Sequence, residues 1–223
     1  MERFEPHRYP WLDEPGADDP PPPEPHGRTL VVAVGSNASL AVLRDKYAQG
    51  RLAPAPRTPS MGCTVTGLAV GHSAHVSLRG YIAAAPFRQV ETASALTATW
   101  PDEQQLRIID ESEPNYRRVR LARRDYPLVL ASGERPEHFD VYVSRHGVLA
   151  DPRSGERRTL GTQAELFRWL AEVTGDAAFA GAPERICERL GAAAEQRRLK
   201  RLFVERGLRV GDALTDQLQL RAP

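Results

Sequence analysis

The sequence predicts an α+β protein in which a β-rich region precedes a mostly helical one. Short runs of β-branched and small residues recur between residues 30 and 143, and glycine-containing turns separate them. From residue 162 onward, apolar residues recur instead at the spacing of helix faces. Strands followed by helices, rather than strands alternating with helices, favour an α+β arrangement over a doubly wound parallel sheet.

The overall composition is that of a globular chain. Its 223 residues, 41% of them hydrophobic, suffice for one domain with additions or for two small ones. The 30 basic and 29 acidic side chains nearly cancel, so the chain lacks the field that a nucleic-acid binder needs. No apolar run approaches the ~18 residues of a membrane span, and the acidic, proline-rich start is unlike a secretory leader. We expect a soluble, cytoplasmic protein with no nucleic-acid and no membrane partner.

The N-terminal 27 residues are predicted to form a disordered, proline-rich tail. Two aspartates are followed by five prolines between residues 20 and 25, a composition that buries little apolar area and favours extended geometry. Tyr9, Pro10 and Trp11 are the part of this tail that could pack on the body or on a partner.

The first folded unit is predicted to be a strand, a small polar turn and a helix. Residues 30–34 form a near-continuous apolar run, as expected of a strand buried on both faces. Gly35 permits a tight turn, and Ser36 or Asn37 can cap the helix that the apolar spacing of residues 39–47 predicts.

Further β structure is predicted along the middle of the chain, with one helix inside it. The strand segments are residues 64–70, 74–84, 92–99, 119–121, 128–130 and 139–143. Pro101 opens the helix, because proline is tolerated at a first helical position and the two acidic residues after it favour the positive end of the helix dipole. This helix must end within residues 112–114.

The last third of the chain is predicted to be helical. Thr162 and Glu165 form a capping-box pattern ahead of an apolar helix face. A second helix starts at Pro183, weakens at Gly191 and ends near Gly207. Its arginines alternate with glutamates, which favours intrahelical ion pairs on a solvated face. Its apolar residues cover the β region or a second subunit, which leaves a homodimer open.

Two segments have residue types that could carry chemistry. The turn at residues 35–37 offers backbone N–H groups that can receive a carboxylate or an oxyanion, although it also suits an ordinary strand-to-helix connection. Asp110, Glu111 and Glu113 crowd the end of the helix that begins near Pro101. Their mutual repulsion, with any burial, would raise the pKa of at least one carboxyl group, whereas full solvation would leave an ordinary charged helix end.

Together and in this order, the two segments resemble the γ-glutamylcyclotransferase-like family over about residues 28–150. Gly35, Ser36 and Asn37 match the family turn that holds the glutamyl group, and Glu113 falls where its catalytic glutamate belongs. The resemblance implies a small mixed β-barrel with flanking helices for residues 28–150, and residues 151–223 would be a helical C-terminal extension.

The sequence departs from the family pattern at two positions. Val34 stands where a tyrosine normally precedes the turn glycine, so substrate contact there would be lost or supplied by Tyr81 or Tyr116. Pro114 stands where a glycine commonly follows the glutamate, which stiffens the approach to Glu113. The candidate substrate-binding set is therefore Val34, Gly35, Ser36, Asn37, Tyr81 and Tyr116.

The activity implied by the resemblance is an acyltransferase-type cyclisation. A small-molecule γ-glutamyl amide would close to 5-oxoproline and release an amine, with Glu113 as general base and then general acid and with no metal or cofactor. The alternative is a catalytically silent relative that binds a small metabolite or a protein in the same pocket or through its C-terminal helices.

A metal site or a thiol nucleophile is the rival hypothesis for Cys63, His72 and His75. The support is poor, because no second Cys or His pair completes a zinc pattern and the two histidines would face opposite ways on a strand. Cys63 and Cys187 are too few for a disulfide framework and are predicted to be free thiols.

Overall fold

The computed structural model describes residues 4–12, 27–52, 56–211 and 214. Within these residues the predicted α+β class is confirmed. The strands are β1 (Val31–Ala33), β2 (Ser60–His72), β3 (Ala84–Thr99), β4 (Tyr116–Ala122), β5 (Leu128–Leu130), β6 (His138–Ser144), β7 (Val148–Leu149) and β8 (Arg209–Val210). The α-helices are α1 (Leu40–Gln49), α2 (Glu103–Ser112), α3 (Gln163–Thr174), α4 (Pro183–Leu190) and α5 (Ala193–Glu205).

Six strands form one mixed sheet in the order β4-β6-β1-β3-β2-β5. β1 lies near its centre, parallel to β6 and antiparallel to β3, and all three of its residues are buried, as the apolar run predicts. The long strands β2 and β3 pair antiparallel from Ser60 opposite Thr99 to His72 opposite Ala84. Because β1 lies between β3 and β6, the turn that follows it leaves the sheet near its centre.

The small mixed β-barrel that the resemblance implies is not closed within the described residues, since the edge strands β4 and β5 do not pair with each other. The backbone turns sharply after β4, where the N–H groups of Asp125 and Tyr126 both donate to the carbonyl oxygen of Ala122. The chain then forms β5, which pairs with β2. Apolar side chains of both edge strands nevertheless enter one core cluster. The sheet therefore curls around its core without closing.

Most predicted elements lie within the observed ones, and one does not. Residues 74–84 were predicted as a strand, but residues 73–83 form an irregular loop between β2 and β3. A tight turn explains the difference: the Gly80 N–H donates to the Ser77 carbonyl oxygen, and Gly80 has a left-handed φ of 84°. A residue with positive φ interrupts the ladder that small, β-prone residues would otherwise extend.

The helix boundaries follow their capping signals. α2 begins with a capping box between Asp102 and Gln105, and α3 begins with the predicted one between Thr162 and Glu165. The predicted weak point at Gly191 separates α4 from α5. None of the helices in the described residues combines the length and apolar character needed to cross a bilayer.

The C-terminal helices pack against the loop at residues 73–83. A second core cluster joins Phe167, Leu170 and Phe203 of the helices to Val76 and Ile82 of the loop. The Gln163 side chain also binds the Ile82 backbone twice, accepting its N–H at 2.8 Å and donating to its carbonyl oxygen at 3.0 Å. The helices therefore fix a loop that carries candidate site residues.

The predicted intrahelical ion pairs are present in the C-terminal helices, as between Arg185 and Glu188 of α4.

Residues 4–12 differ from the predicted disordered tail, because they pack on the body. Tyr9 is only 4% exposed, and the side chains of Phe4 and Trp11 contact each other with ring centroids 5.6 Å apart. Aromatic rings bury enough area to hold a short segment that the neighbouring prolines cannot. The acidic and proline-rich remainder of the predicted tail, residues 13–26, lies outside the described residues.

Candidate functional site

A cavity of about 400 Å³ lies between the turn after β1 and the C-terminal end of α2. The seven residues predicted for the site all line it: Val34, Gly35, Ser36, Asn37, Tyr81, Glu113 and Tyr116. Its volume falls within the range of small-molecule sites. They come from three separate segments of the sequence, and the position of β1 beside β6 brings the turn at residues 35–37 close to the segment that holds Glu113 and Tyr116.

The turn after β1 is a short 3₁₀ segment, Ser36–Ala38, followed directly by α1. Ser39 caps α1 by accepting the Val42 N–H, so the prediction that Ser36 or Asn37 caps this helix is wrong. The turn itself uses Ser36, whose carbonyl oxygen accepts the Ser39 N–H at 3.0 Å. Because Ser39 does the capping, the side chain of Asn37 is left to face the cavity.

Asn37, Lys46 and Glu113 form a closed triangle of hydrogen bonds at the cavity wall. The Glu113 Oε1 atom accepts from Asn37 Nδ2 at 3.0 Å and from Lys46 Nζ at 2.7 Å. Lys46 also donates to Asn37 Oδ1 at 2.7 Å. This contact supports the amide orientation in which Asn37 Nδ2 faces Glu113. The side chains of Lys46 and Glu113 are only 16% and 17% exposed. The triangle therefore fixes one carboxylate oxygen and offsets its charge.

The two other carboxylates of the predicted acidic cluster are engaged elsewhere. Asp110 receives two hydrogen bonds from the Arg118 guanidinium, at 3.0 and 3.1 Å, and a third from the Tyr142 hydroxyl at 2.7 Å. Glu111 is exposed. Mutual repulsion among the three is thus not the dominant interaction, because Arg118 pairs with Asp110 and Lys46 pairs with Glu113. Of the three carboxylates, Glu113 alone lines the cavity.

Three tyrosines close around Glu113, and two of them bind the backbone of Ala84. The Tyr116 hydroxyl donates to the Ala84 carbonyl oxygen, and the Tyr9 hydroxyl oxygen accepts the Ala84 N–H, each at 2.8 Å. The Tyr81 ring stacks on that of Tyr9 with centroids 4.5 Å apart. Burial, with the charge of Glu113 as a lesser cause, raises the pKa of Tyr81 to about 12. Burial also raises the pKa of Tyr116 well above 10, so both hydroxyls stay protonated.

A polar network next to Glu113 was not predicted. Ser73 Oγ lies 2.5 Å from His75 Nδ1 and 2.6 Å from Ser144 Oγ, and His75 lines the cavity. On the other side, His146 Nε2 lies 2.9 Å from Oδ1 of Asn115, two residues after Glu113. The network ties the segment that carries Glu113 to the end of β6.

Sequence reasoning missed Lys46, Tyr9 and His75 as cavity residues. Lys46 had a usable signal, since it is one of two lysines among thirty basic residues and follows the turn on the predicted helix. For Tyr9 the sequence predicts only possible packing on the body or on a partner. His75 has no motif, because its partner Ser73 lies on the same loop and its other neighbours come from β6 and the turn after it.

The rival metal or thiol site has little geometric support. Cys63 is buried in the core, and burial raises its pKa to about 12, so it stays a protonated thiol. His72 Nε2 accepts the Gly161 N–H at 3.1 Å, away from His75. Over residues 4–12, 27–52, 56–211 and 214, no three His, Cys, Asp or Glu side chains group as metal ligands would.

The buried histidines predict a loss of stability in mild acid. Burial lowers the pKa of His72 to about 4 and that of His75 to about 3, against 6.5 in an unfolded chain. As the pH falls below 6.5, these histidines become protonated in the unfolded state but stay neutral in the folded state. The free energy of unfolding therefore decreases down to about pH 4. For His72 alone the decrease is on the order of 3 kcal/mol.

Urea unfolding at a series of pH values measures this decrease. The His72→Gln variant keeps an acceptor for the Gly161 N–H and should show a shallower pH dependence than the wild type. His138→Gln is the matched control, because His138 is exposed. Equal pH dependence in the wild type and His72→Gln would contradict the prediction.

Comparison with known proteins gives structural likenesses at low identity. No protein-family model and no curated protein matches the sequence. The chain is similar to a solved gamma-glutamyl cyclotransferase, with 10% identity over 78% of this chain and 99% of that chain and a TM-score of 0.44. A gamma-glutamyl cyclotransferase from yeast that is specific to glutathione gives 10% identity, the same coverages and a TM-score of 0.35.

A solution structure from Arabidopsis thaliana is 15% identical with a TM-score of 0.38. That match spans 58% of this chain and 66% of the Arabidopsis chain.

Proposed function

We propose that the protein cyclises a small γ-glutamyl amide to 5-oxoproline and releases an amine, with Glu113 as the catalytic acid and base. The observation that carries this proposal is the placement of Glu113. Its carboxylate is fixed by Asn37 and Lys46 at the wall of a cavity that the turn at residues 35–37 also lines. One oriented carboxylate beside backbone donors is what an intramolecular acyl transfer needs.

The reaction joins two groups of the same substrate molecule. The α-amine attacks the side-chain carbonyl carbon, the new N–C bond closes a five-membered lactam, and the C–N bond to the departing amine breaks. Because nucleophile and electrophile are already linked, the protein gains by holding the substrate folded, with no covalent intermediate required. The turn at residues 35–37 would receive substrate oxygens through its backbone N–H groups other than that of Ser36, which faces the Tyr9 hydroxyl oxygen.

Glu113 moves the protons. The α-ammonium of the substrate has a pKa of about 8, by analogy with a chain terminus, and must lose a proton before it attacks. Glu113 accepts that proton and passes it to the nitrogen of the departing amine, and the second proton that the attacking nitrogen loses follows the same route. Both protons end on the released amine, so the balance requires no metal, cofactor or further reactant.

The other cavity residues position Glu113 and the substrate. Lys46 and Asn37 hold one oxygen of the Glu113 carboxylate in place. The protonated hydroxyls of Tyr81 and Tyr116 supply neutral polar groups without adding a second titrating base. Val34 provides an apolar contact where it lines the cavity.

A substrate panel tests the proposal. The full chain is incubated with γ-glutamyl amines and γ-glutamyl dipeptides that differ in the size and charge of the released amine, and 5-oxoproline and free amine are measured together. We expect equimolar formation of the two products from at least one compound. Binding of the panel compounds without product formation would instead support the silent binding protein and would overturn the enzyme proposal.

A further inference from the structure

The hydroxyl of Tyr9 reaches the candidate site from outside the sheet. The 4–12 segment brings it to the turn after β1, where a Cβ added at Gly35 would overlap the Tyr9 hydroxyl oxygen. The Ala84 N–H donates to that oxygen at 2.8 Å, and the ring is held by stacking on Tyr81. The absence of a side chain at Gly35 thus makes room for the Tyr9 hydroxyl.

The contacts of Tyr9 leave it able to act as a hydrogen-bond donor. A phenol oxygen accepts through its lone pairs and has one proton to donate. The N–H groups of Ala84 and Ser36 both face lone pairs of the Tyr9 oxygen, which leaves its proton to donate, and the Ala84 carbonyl oxygen receives the hydroxyl of Tyr116. Burial raises the pKa of Tyr9 well above its ordinary value, and the neighbouring Tyr81 raises it further. The Tyr9 hydroxyl therefore keeps its proton at neutral pH.

We infer that Tyr9 is a ligand-binding residue that donates its hydroxyl to an oxygen of the glutamyl head group. Residues 4–12 are then a working part of the site. The identity of the ligand in this inference rests on the proposed function. Val34, which precedes the turn, has no polar group with which to make such a contact.

The geometry places Tyr9 in the wall of the cavity. With the Tyr9 ring in position, about 400 Å³ of space remains beside Glu113 and the turn. The ring is 4% exposed and packs against Tyr81 and Trp11, with centroids 4.5 and 5.1 Å away. A segment that had to leave before ligand entry would lose this buried aromatic packing.

The Tyr9→Phe variant tests the inference, because it keeps the stacked ring and removes only the hydroxyl. Tyr47→Phe is the matched control: Tyr47 is also buried, and its hydroxyl pairs with Thr58 at 2.7 Å, away from the cavity. Calorimetry with 5-oxoproline, and with those γ-glutamyl amides of the panel that are not turned over, gives Kd, and steady-state assays on the full chain give KM and kcat. We expect Tyr9→Phe to raise Kd and KM about tenfold, equivalent to 1.4 kcal/mol, with a smaller change in kcat.

The control should match the wild type in Kd and KM. Unchanged affinity in Tyr9→Phe would show that Tyr9 only supports the wall. Tighter binding or faster turnover would show that it obstructs the site, and either result overturns the inference.

Failure of the proposed function is separable from failure of this inference. If the wild type binds the probes but forms no 5-oxoproline, the cyclisation proposal fails, and the Kd values of Tyr9→Phe and Tyr47→Phe still decide the role of Tyr9. If none of the probes binds the wild type, both fail.

Discussion

Replacing Glu113 with Gln is expected to lower kcat for 5-oxoproline formation by roughly 10²- to 10⁴-fold, the range that a positioned general acid or base contributes. Glutamine has nearly the same shape, and its carbonyl oxygen can still accept the hydrogen bonds of Asn37 and Lys46. It cannot take up the proton of the substrate ammonium. Substrate binding should therefore change less than turnover, which a steady-state comparison of kcat and KM measures.

Glu111→Gln is the matched control for this experiment. Glu111 is a neighbouring carboxylate on the same helix end, but it is exposed and does not line the cavity. We expect its kcat to stay within about twofold of the wild type, because solvent and salt screen the charge of an exposed carboxylate. Turnover in Glu113→Gln that equals that of Glu111→Gln would remove Glu113 from the mechanism.

Local signals in the sequence were sufficient for much of the fold. β1 is predictable because a strand in the middle of a mixed sheet is apolar on both faces, and α3 is predictable because Thr162 and Glu165 satisfy each other's backbone donors. The prediction of a strand over residues 74–84 is wrong for a physical reason. Its small residues suit a strand, but the Ser77–Gly80 turn and the packing of the C-terminal helices on Ile82 decide its conformation.

The candidate site was partly predictable for the same reason. Glu113 and the turn at residues 35–37 belong to short sequence motifs, which can be recognised without knowledge of the fold. Lys46 and Tyr9 reach the cavity through tertiary contacts, Lys46 from the helix α1 and Tyr9 from residues 4–12. A sequence pattern has no spacing rule that would connect Tyr9 to Gly35, because their contact depends on the missing side chain at Gly35 and on the position of Ala84.

The same dependence on tertiary contacts predicts a large stability effect at Gly80. Gly80 has a φ of 84°, and a Cβ there would overlap the carbonyl oxygen of Cys187 in α4. Gly80→Ala therefore combines the cost of a left-handed backbone conformation with a clash against backbone that cannot rotate away. We expect a loss of about 3–5 kcal/mol in the free energy of unfolding, the sum of backbone strain and overpacking.

Gly133→Ala separates the two contributions. Gly133 has a similar φ of 88°, but a Cβ there meets nothing within 4 Å, so this variant should lose only about 1 kcal/mol. Urea unfolding of both variants measures the difference. Because Gly80 adjoins Tyr81 and the loop is held by α4, Gly80→Ala should also weaken binding of γ-glutamyl probes under conditions in which it is still folded. Equal destabilisation of the two variants would mean that the loop and α4 are not in the close contact from which the support of Tyr81 is argued.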